Sequence, residues 1–115
     1  KVLLADDSPE LRKLISRALE STGCEVVLAA NGVEALRIFE RYAGELGLVV
    51  LDVDMPKLRG TDSLERMWHL RSDVPAILMS GLHQKASMEH ELIRFLKKPF
   101  QMRDLTKLAR ELLGR

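Results

Sequence analysis

Short apolar runs of strand length recur along the chain, and the stretches between them carry a different periodicity. The runs are Val2-Leu3-Leu4-Ala5, Val26 to Ala30, Leu48 to Leu51, Ala76 to Met79, and a weaker one from Ile93 to Leu96. They are continuous rather than alternating. A strand wetted on one face alternates apolar and polar residues, so continuous runs mark strands covered on both faces, as in a parallel sheet. Between the runs the spacing becomes helical. Leu11, Leu14, Ile15, Ala18 and Leu19 follow Ser8, a suitable N-cap, and Pro9, which a first turn tolerates; Gly23 then supplies a stop. A second helix follows Asn31 and carries Leu36, Phe39 and Ala43 on one side. A third carries Leu64, Met67 and Trp68 after a cap at Thr61 or Asp62, and Leu105, Leu108, Ala109 and Leu112 define the last. Strands alternating with helices, without repeats or low-complexity segments, predict an α/β fold. The expected architecture is a doubly wound, five-stranded parallel sheet with right-handed crossovers and helices on both faces.

With 115 residues, 46% of them hydrophobic, the chain suits one core and is too short for two, so residues 1–115 read as a single domain. It begins directly in an apolar strand and stops after one helix, which leads us to expect a domain excised from a longer protein. The balance of 18 basic and 17 acidic residues gives no push toward nucleic acid, so no direct nucleic-acid contact is expected. A single cysteine, Cys24, rules out an internal disulfide and a cysteine metal cage and fits a reducing compartment. No apolar span approaches the ~18 residues of a membrane helix, so the expected location is cytoplasmic, with no membrane partner.

In doubly wound sheets the active crevice lies at the carboxyl ends of the strands. The residues just after the apolar runs are Asp6 and Asp7, Asp52, Ser80, and Lys98 followed by Pro99. Three acids, a hydroxyl and a lysine therefore share one rim. Converging carboxylates raise one another's pKa unless a cation neutralises them. Oxygen donors without cysteine or histidine select a hard ion, Mg²⁺, with Mn²⁺ as a substitute. Because Mg²⁺ usually binds one or two carboxylates plus phosphate oxygens, such a site suits holding a phosphoryl group. A carboxylate can be the nucleophile toward phosphorus, giving an aspartyl phosphate, and Asp52 is the best placed to do so. Lys98 would stabilise charge on the transferring group, and Ser80 would hydrogen-bond the product phosphate and pull on the loop behind it.

The ordered set Asp6-Asp7, Asp52-x-x-Met55-Pro56-x-x-x-Gly60, Ser80-Gly81 and Lys98-Pro99-Phe100 resembles the receiver domain of two-component response regulators, from Lys1 to the final helix. The resemblance implies a flavodoxin-like sheet order of 2-1-3-4-5 and a cis Lys98-Pro99 bond. It implies that Asp7 and Asp52 bind Mg²⁺ with the backbone carbonyl of Asp54, while Asp6 assists through a bound water. It also implies that Asp52 accepts phosphate from a histidine kinase or a histidine phosphotransfer protein, and that Phe95 is an aromatic switch residue. The protein is then a signalling domain rather than an enzyme acting on external substrates, with its output unknown and a homodimer open.

Two features depart from the family pattern. Ser80 and Lys98 are 18 positions apart, several fewer than usual, and Glu91-Leu92-Ile93-Arg94 replaces the customary small pair before Phe95. A helix there is expected to be short or remodelled, which bears on partner surfaces more than on the chemistry. Leu82, two positions after Ser80, cannot orient an attacking water, which favours a longer-lived phosphoryl group. Plainer readings stand beside these: Asp7 or Ser8 as a helix cap, Ser80 as a turn residue, Phe95 as core, Cys24 as a small buried residue, Trp68 and the methionines as packing, and His69, His83 and His90 as surface histidines. Two rival functions are a phosphatase using the same acids, which lacks an evident substrate pocket, and a receiver-like interaction module that works without phosphorylation.

Overall fold

The computed structural model describes residues 1–81 and 90–114. Five parallel strands, β1 (Val2–Ala5), β2 (Val26–Ala29), β3 (Leu48–Asp52), β4 (Ala76–Ser80) and β5 (Ile93–Lys97), form one sheet in the order β2-β1-β3-β4-β5. Among the described residues the helices are α1 (Pro9–Glu20), α2 (Gly32–Tyr42), α3 (Gly60–Leu70) and α4 (Met102–Leu113). The predicted α/β sheet, its order and its helices on both faces are all present. The expectation of a short or remodelled helix between β4 and β5, and that concerning Leu82, fall outside the described residues, as does His83.

Alternate strand residues point to opposite faces, and each face has its own core. Leu3, Ala5, Val49, Leu51, Ala76 and Leu78 meet Phe39 of α2 and Leu64 and Met67 of α3. Val2, Leu4, Leu48, Val50, Ile77 and Met79 meet Ile15 and Leu19 of α1 and Leu105 and Ala109 of α4. Burial on both sides is why β1, β3 and β4 read as unbroken apolar runs.

Caps set the helix limits. The Ser8 hydroxyl accepts from Leu11 N–H at 3.3 Å, with Pro9 in the first turn of α1, and the Asn31 side chain accepts from Glu34 N–H at 2.9 Å. Three readings need correction. Helix α3 begins at Gly60, with Arg59 as N-cap and no side-chain cap bond, rather than after Thr61 or Asp62. Leu14, expected on the core face of α1, is 53% exposed. Cys24 is only half-buried, 3.2 Å from the Thr22 hydroxyl. The plainer reading of Trp68 holds: it packs against the α2/α3 core and donates from Nε1 to the Val74 carbonyl at 3.0 Å.

Candidate functional site

Sheet order reverses between β1 and β3, so the loops leaving their carboxyl ends diverge and open a crevice there. Asp6 and Asp7 leave β1 on one side, and Asp52 closes β3 on the other. One carboxylate oxygen from each of Asp6, Asp7 and Asp52 lies within 4.8 Å of the others. Asp6 and Asp52 are buried, whereas Asp7 is exposed. From the far side Lys98 reaches in, its Nζ 3.2 Å from Asp6 Oδ2 and 3.2 Å from Asp52 Oδ2. Lys98 follows β5, and its N–H donates to the Ser80 carbonyl at 2.7 Å, tying the ends of the two strands together. The Lys98-Pro99 bond is cis, as the resemblance implied.

The acids differ in how they are held. Asp6 Oδ1 accepts from Ser8 N–H at 2.8 Å and its Oδ2 faces Lys98, so both oxygens are engaged. Asp52 Oδ1 accepts from Asp54 N–H at 3.1 Å. Among the described residues nothing hydrogen-bonds or ion-pairs with the Asp7 carboxylate. Burial pushes the Asp52 carboxyl above its ordinary value, with the Asp6 charge adding to this; Lys98 and the Asp54 N–H oppose it without cancelling it. For Lys98 burial is the largest single influence and lowers the pKa, but Asp52 and Asp6 together outweigh it and raise the net value. The ammonium is therefore charged at neutral pH. Three hard oxygen donors with one carboxylate unengaged suit a Mg²⁺ ion.

The β3–α3 loop needs its glycine. A Cβ on Gly60 would lie 2.2 Å from the Asp52 carbonyl oxygen, and the Gly60 N–H donates to Val53 O at 3.1 Å. Asp54 is exposed, with Arg59 Nη2 3.8 Å from its carboxylate. Ser80 ends β4 at the same rim, half-buried. Phe95 sits apart on the edge strand β5, opposite Leu78, and is 42% exposed, so the reading of it as plain core is wrong. Sequence reasoning missed Arg12, whose Nη1 donates to the Asp6 carbonyl at 2.6 Å. Its position within the first helical turns after the acidic pair was the signal available.

The sequence matches the response regulator receiver domain family over residues 2–110. The chain belongs to that family. The receiver is 37% identical over 116 residues to the sensor kinase CckA of Brucella abortus, covering 97% of this chain and 12% of that protein. It is 37% identical over 119 residues to a probable transcriptional regulator, ycf27, of Cyanophora paradoxa, covering 100% of this chain and 48% of the relative. It thus spans about half the length, or much less, of these curated relatives. Among solved structures, a response regulator receiver domain protein from Clostridium thermocellum matches with a TM-score of 0.88 at 29% identity, over 99% of this chain and 94% of that one. The receiver domain of the hybrid histidine kinase CckA matches with a TM-score of 0.86 at 30% identity, over 97% of both chains. Receivers of this family are signalling domains that interact with histidine kinases. No helix among the described residues is long and apolar enough to cross a membrane.

Proposed function

We propose that this receiver is the phosphoacceptor module of a larger cytoplasmic two-component regulator, and that Asp52 takes a phosphoryl group from the phosphohistidine of a histidine kinase or a histidine phosphotransfer protein. The observation that carries this reading is the shared lysine: Lys98 Nζ stands 3.2 Å from both Asp6 and Asp52, opposite the unengaged carboxylate of Asp7. An Asp52 carboxylate oxygen forms the new P–O bond as the donor's P–N bond breaks. The electron pair of that bond leaves with the imidazole nitrogen, which is protonated from solvent. Lys98 donates from Nζ to a phosphoryl oxygen and Ser80 donates its hydroxyl to another, so the new charge meets fixed donors.

Asp7, Asp52 and the backbone carbonyl of Asp54 would hold Mg²⁺ directly. Asp6 would assist through a water, consistent with both its oxygens being engaged by Ser8 and Lys98. When bound, the ion neutralises charge on the phosphoryl oxygens and on the acids. Phe95, on an edge strand paired to the strand that ends at Ser80, relays the change to the protein surface.

The test is incubation with acetyl phosphate, and separately with beryllofluoride, with and without Mg²⁺, on the wild type and Asp52→Asn. A Mg²⁺-dependent mass gain and a spectral response confined to the wild type are expected. A wild type that stays unmodified and unresponsive under every condition overturns the proposal.

A further inference from the structure

Asp6 is fixed at four points. Its N–H donates to Ala29 O at 3.2 Å, its Oδ1 accepts from Ser8 N–H, its Oδ2 meets Lys98, and its carbonyl accepts from Arg12 Nη1 at 2.6 Å. The first three contacts hold the strand end and the side chain. Among the described residues only Arg12 grips the peptide that joins Asp6 to Asp7. That peptide is a rigid plane, and turning it swings the Cα–Cβ bond of the next residue. Asp7 has no described partner of its own, so its carboxylate points wherever the backbone aims it. Arg12 is half-buried on α1, one turn inside the helix that Ser8 caps, so the grip is anchored in a packed element.

We propose that Arg12 is a positioning residue for the cation site: through the Asp6 carbonyl it aims the Asp7 carboxylate into the crevice. The inference rests on reading the crevice as a magnesium-dependent phosphoacceptor site and extends it to a residue that touches neither ion nor phosphate. Charge and positioning make opposite forecasts, which makes the idea decidable. A guanidinium held on the Asp6 carbonyl repels a cation arriving at the neighbouring acids, so on charge alone its removal tightens Mg²⁺ binding. If the grip matters more, removal loosens binding. Lysine keeps the charge but loses the planar fork, so it separates the two effects.

The experiment titrates Mg²⁺ calorimetrically, with no phosphodonor present, into the full chain as wild type, Arg12→Met and Arg12→Lys. Phosphate incorporation from acetyl phosphate is followed in parallel across Mg²⁺ concentrations. Positioning predicts Mg²⁺ affinity about 10-fold weaker in Arg12→Met, the scale seen when residues supporting a metal ligand are removed. Arg12→Lys moves in the same direction, and the incorporation rate at saturating Mg²⁺ stays near wild type in both. Unchanged or tighter Mg²⁺ binding in Arg12→Met overturns the inference, as does full affinity in Arg12→Lys. If Arg12→Met does not fold, Arg12→Lys alone decides. A wild type that binds Mg²⁺ but accepts no phosphoryl group overturns the phosphoacceptor reading while leaving the Arg12 result standing. A wild type that binds no Mg²⁺ overturns both.

Discussion

Burial and the neighbouring Lys98 charge pull Asp52 in opposite directions. Its carboxyl is buried and shifted above the ordinary 3.8, chiefly by desolvation, so the folded protein holds that proton more tightly than the unfolded chain does. Stability therefore falls as pH rises from the unfolded value through the folded one, and at neutral pH the ionised side chain costs the fold. Asp52→Asn keeps the shape, removes the charge and leaves Lys98 its Asp6 partner. It is expected to stabilise the protein by on the order of 1 kcal/mol at neutral pH, the scale of an incompletely compensated buried polar group. Thermal melts should show the gain shrinking on acidification, as wild-type Asp52 becomes neutral too. A lower melting temperature for Asp52→Asn at neutral pH would mean that Lys98 more than offsets the burial. At this scale much was legible in the sequence, because the rule that crevices form at strand ends selects Asp6, Asp7, Asp52, Ser80 and Lys98 directly. Arg12 was legible only as a basic residue early in the first helix, because the backbone carbonyl it grips leaves no mark in the side-chain pattern. The exposure of Leu14 was hidden as well: helical spacing gives the direction of a side chain but not the width of what covers it.

The β3–α3 loop shows what an element demands of single positions. Its strand end carries Asp52, and its helix starts at Gly60 because only a residue without Cβ can approach the Asp52 carbonyl this closely. Sequence reading placed the cap at Thr61 or Asp62 by propensity; packing against β3 overrode it. Gly60→Ala forces the backbone beneath Asp52 to move, at an expected cost of about 1–3 kcal/mol, the usual range for overpacking. A denaturation midpoint equal to wild type would show that the loop yields easily. In the same loop Lys57 has φ 70°, a left-handed backbone that favours glycine. Left-handed geometry costs a side chain roughly 1–2 kcal/mol, and the freedom of glycine in the unfolded chain takes back about 0.5–1, so Lys57→Gly should gain on the order of 0.5 kcal/mol. Urea titration at unchanged slope would register this, and a loss would place the strain elsewhere.

Two cores share one sheet, so the faces of this receiver are mechanically coupled through the strands that present its acids. Ile77 and Leu78 are neighbours on β4, both fully buried, yet they face opposite ways: Ile77 toward α1 and α4, Leu78 toward α2 and α3. Their strand pairs with β3 up to Asp52 opposite Met79, so either core supports the strand carrying Asp52. Apolar runs revealed this layering, since continuous burial is written directly into composition; the face that each helix covers was not, because it depends on crossovers between residues distant in sequence. Ile77→Ala and Leu78→Ala should each cost about 2–5 kcal/mol, the range for truncating a buried aliphatic side chain. If the sheet makes the two cores one cooperative unit, each variant melts in a single transition at a lower temperature, with far-ultraviolet and near-ultraviolet signals lost together. Should Leu78→Ala lose the packing around α2 and α3 in a separate earlier step while α1 and α4 stay folded, the halves are independent. The proposed phosphoryl group on Asp52 would then have no shared framework through which to act on both faces.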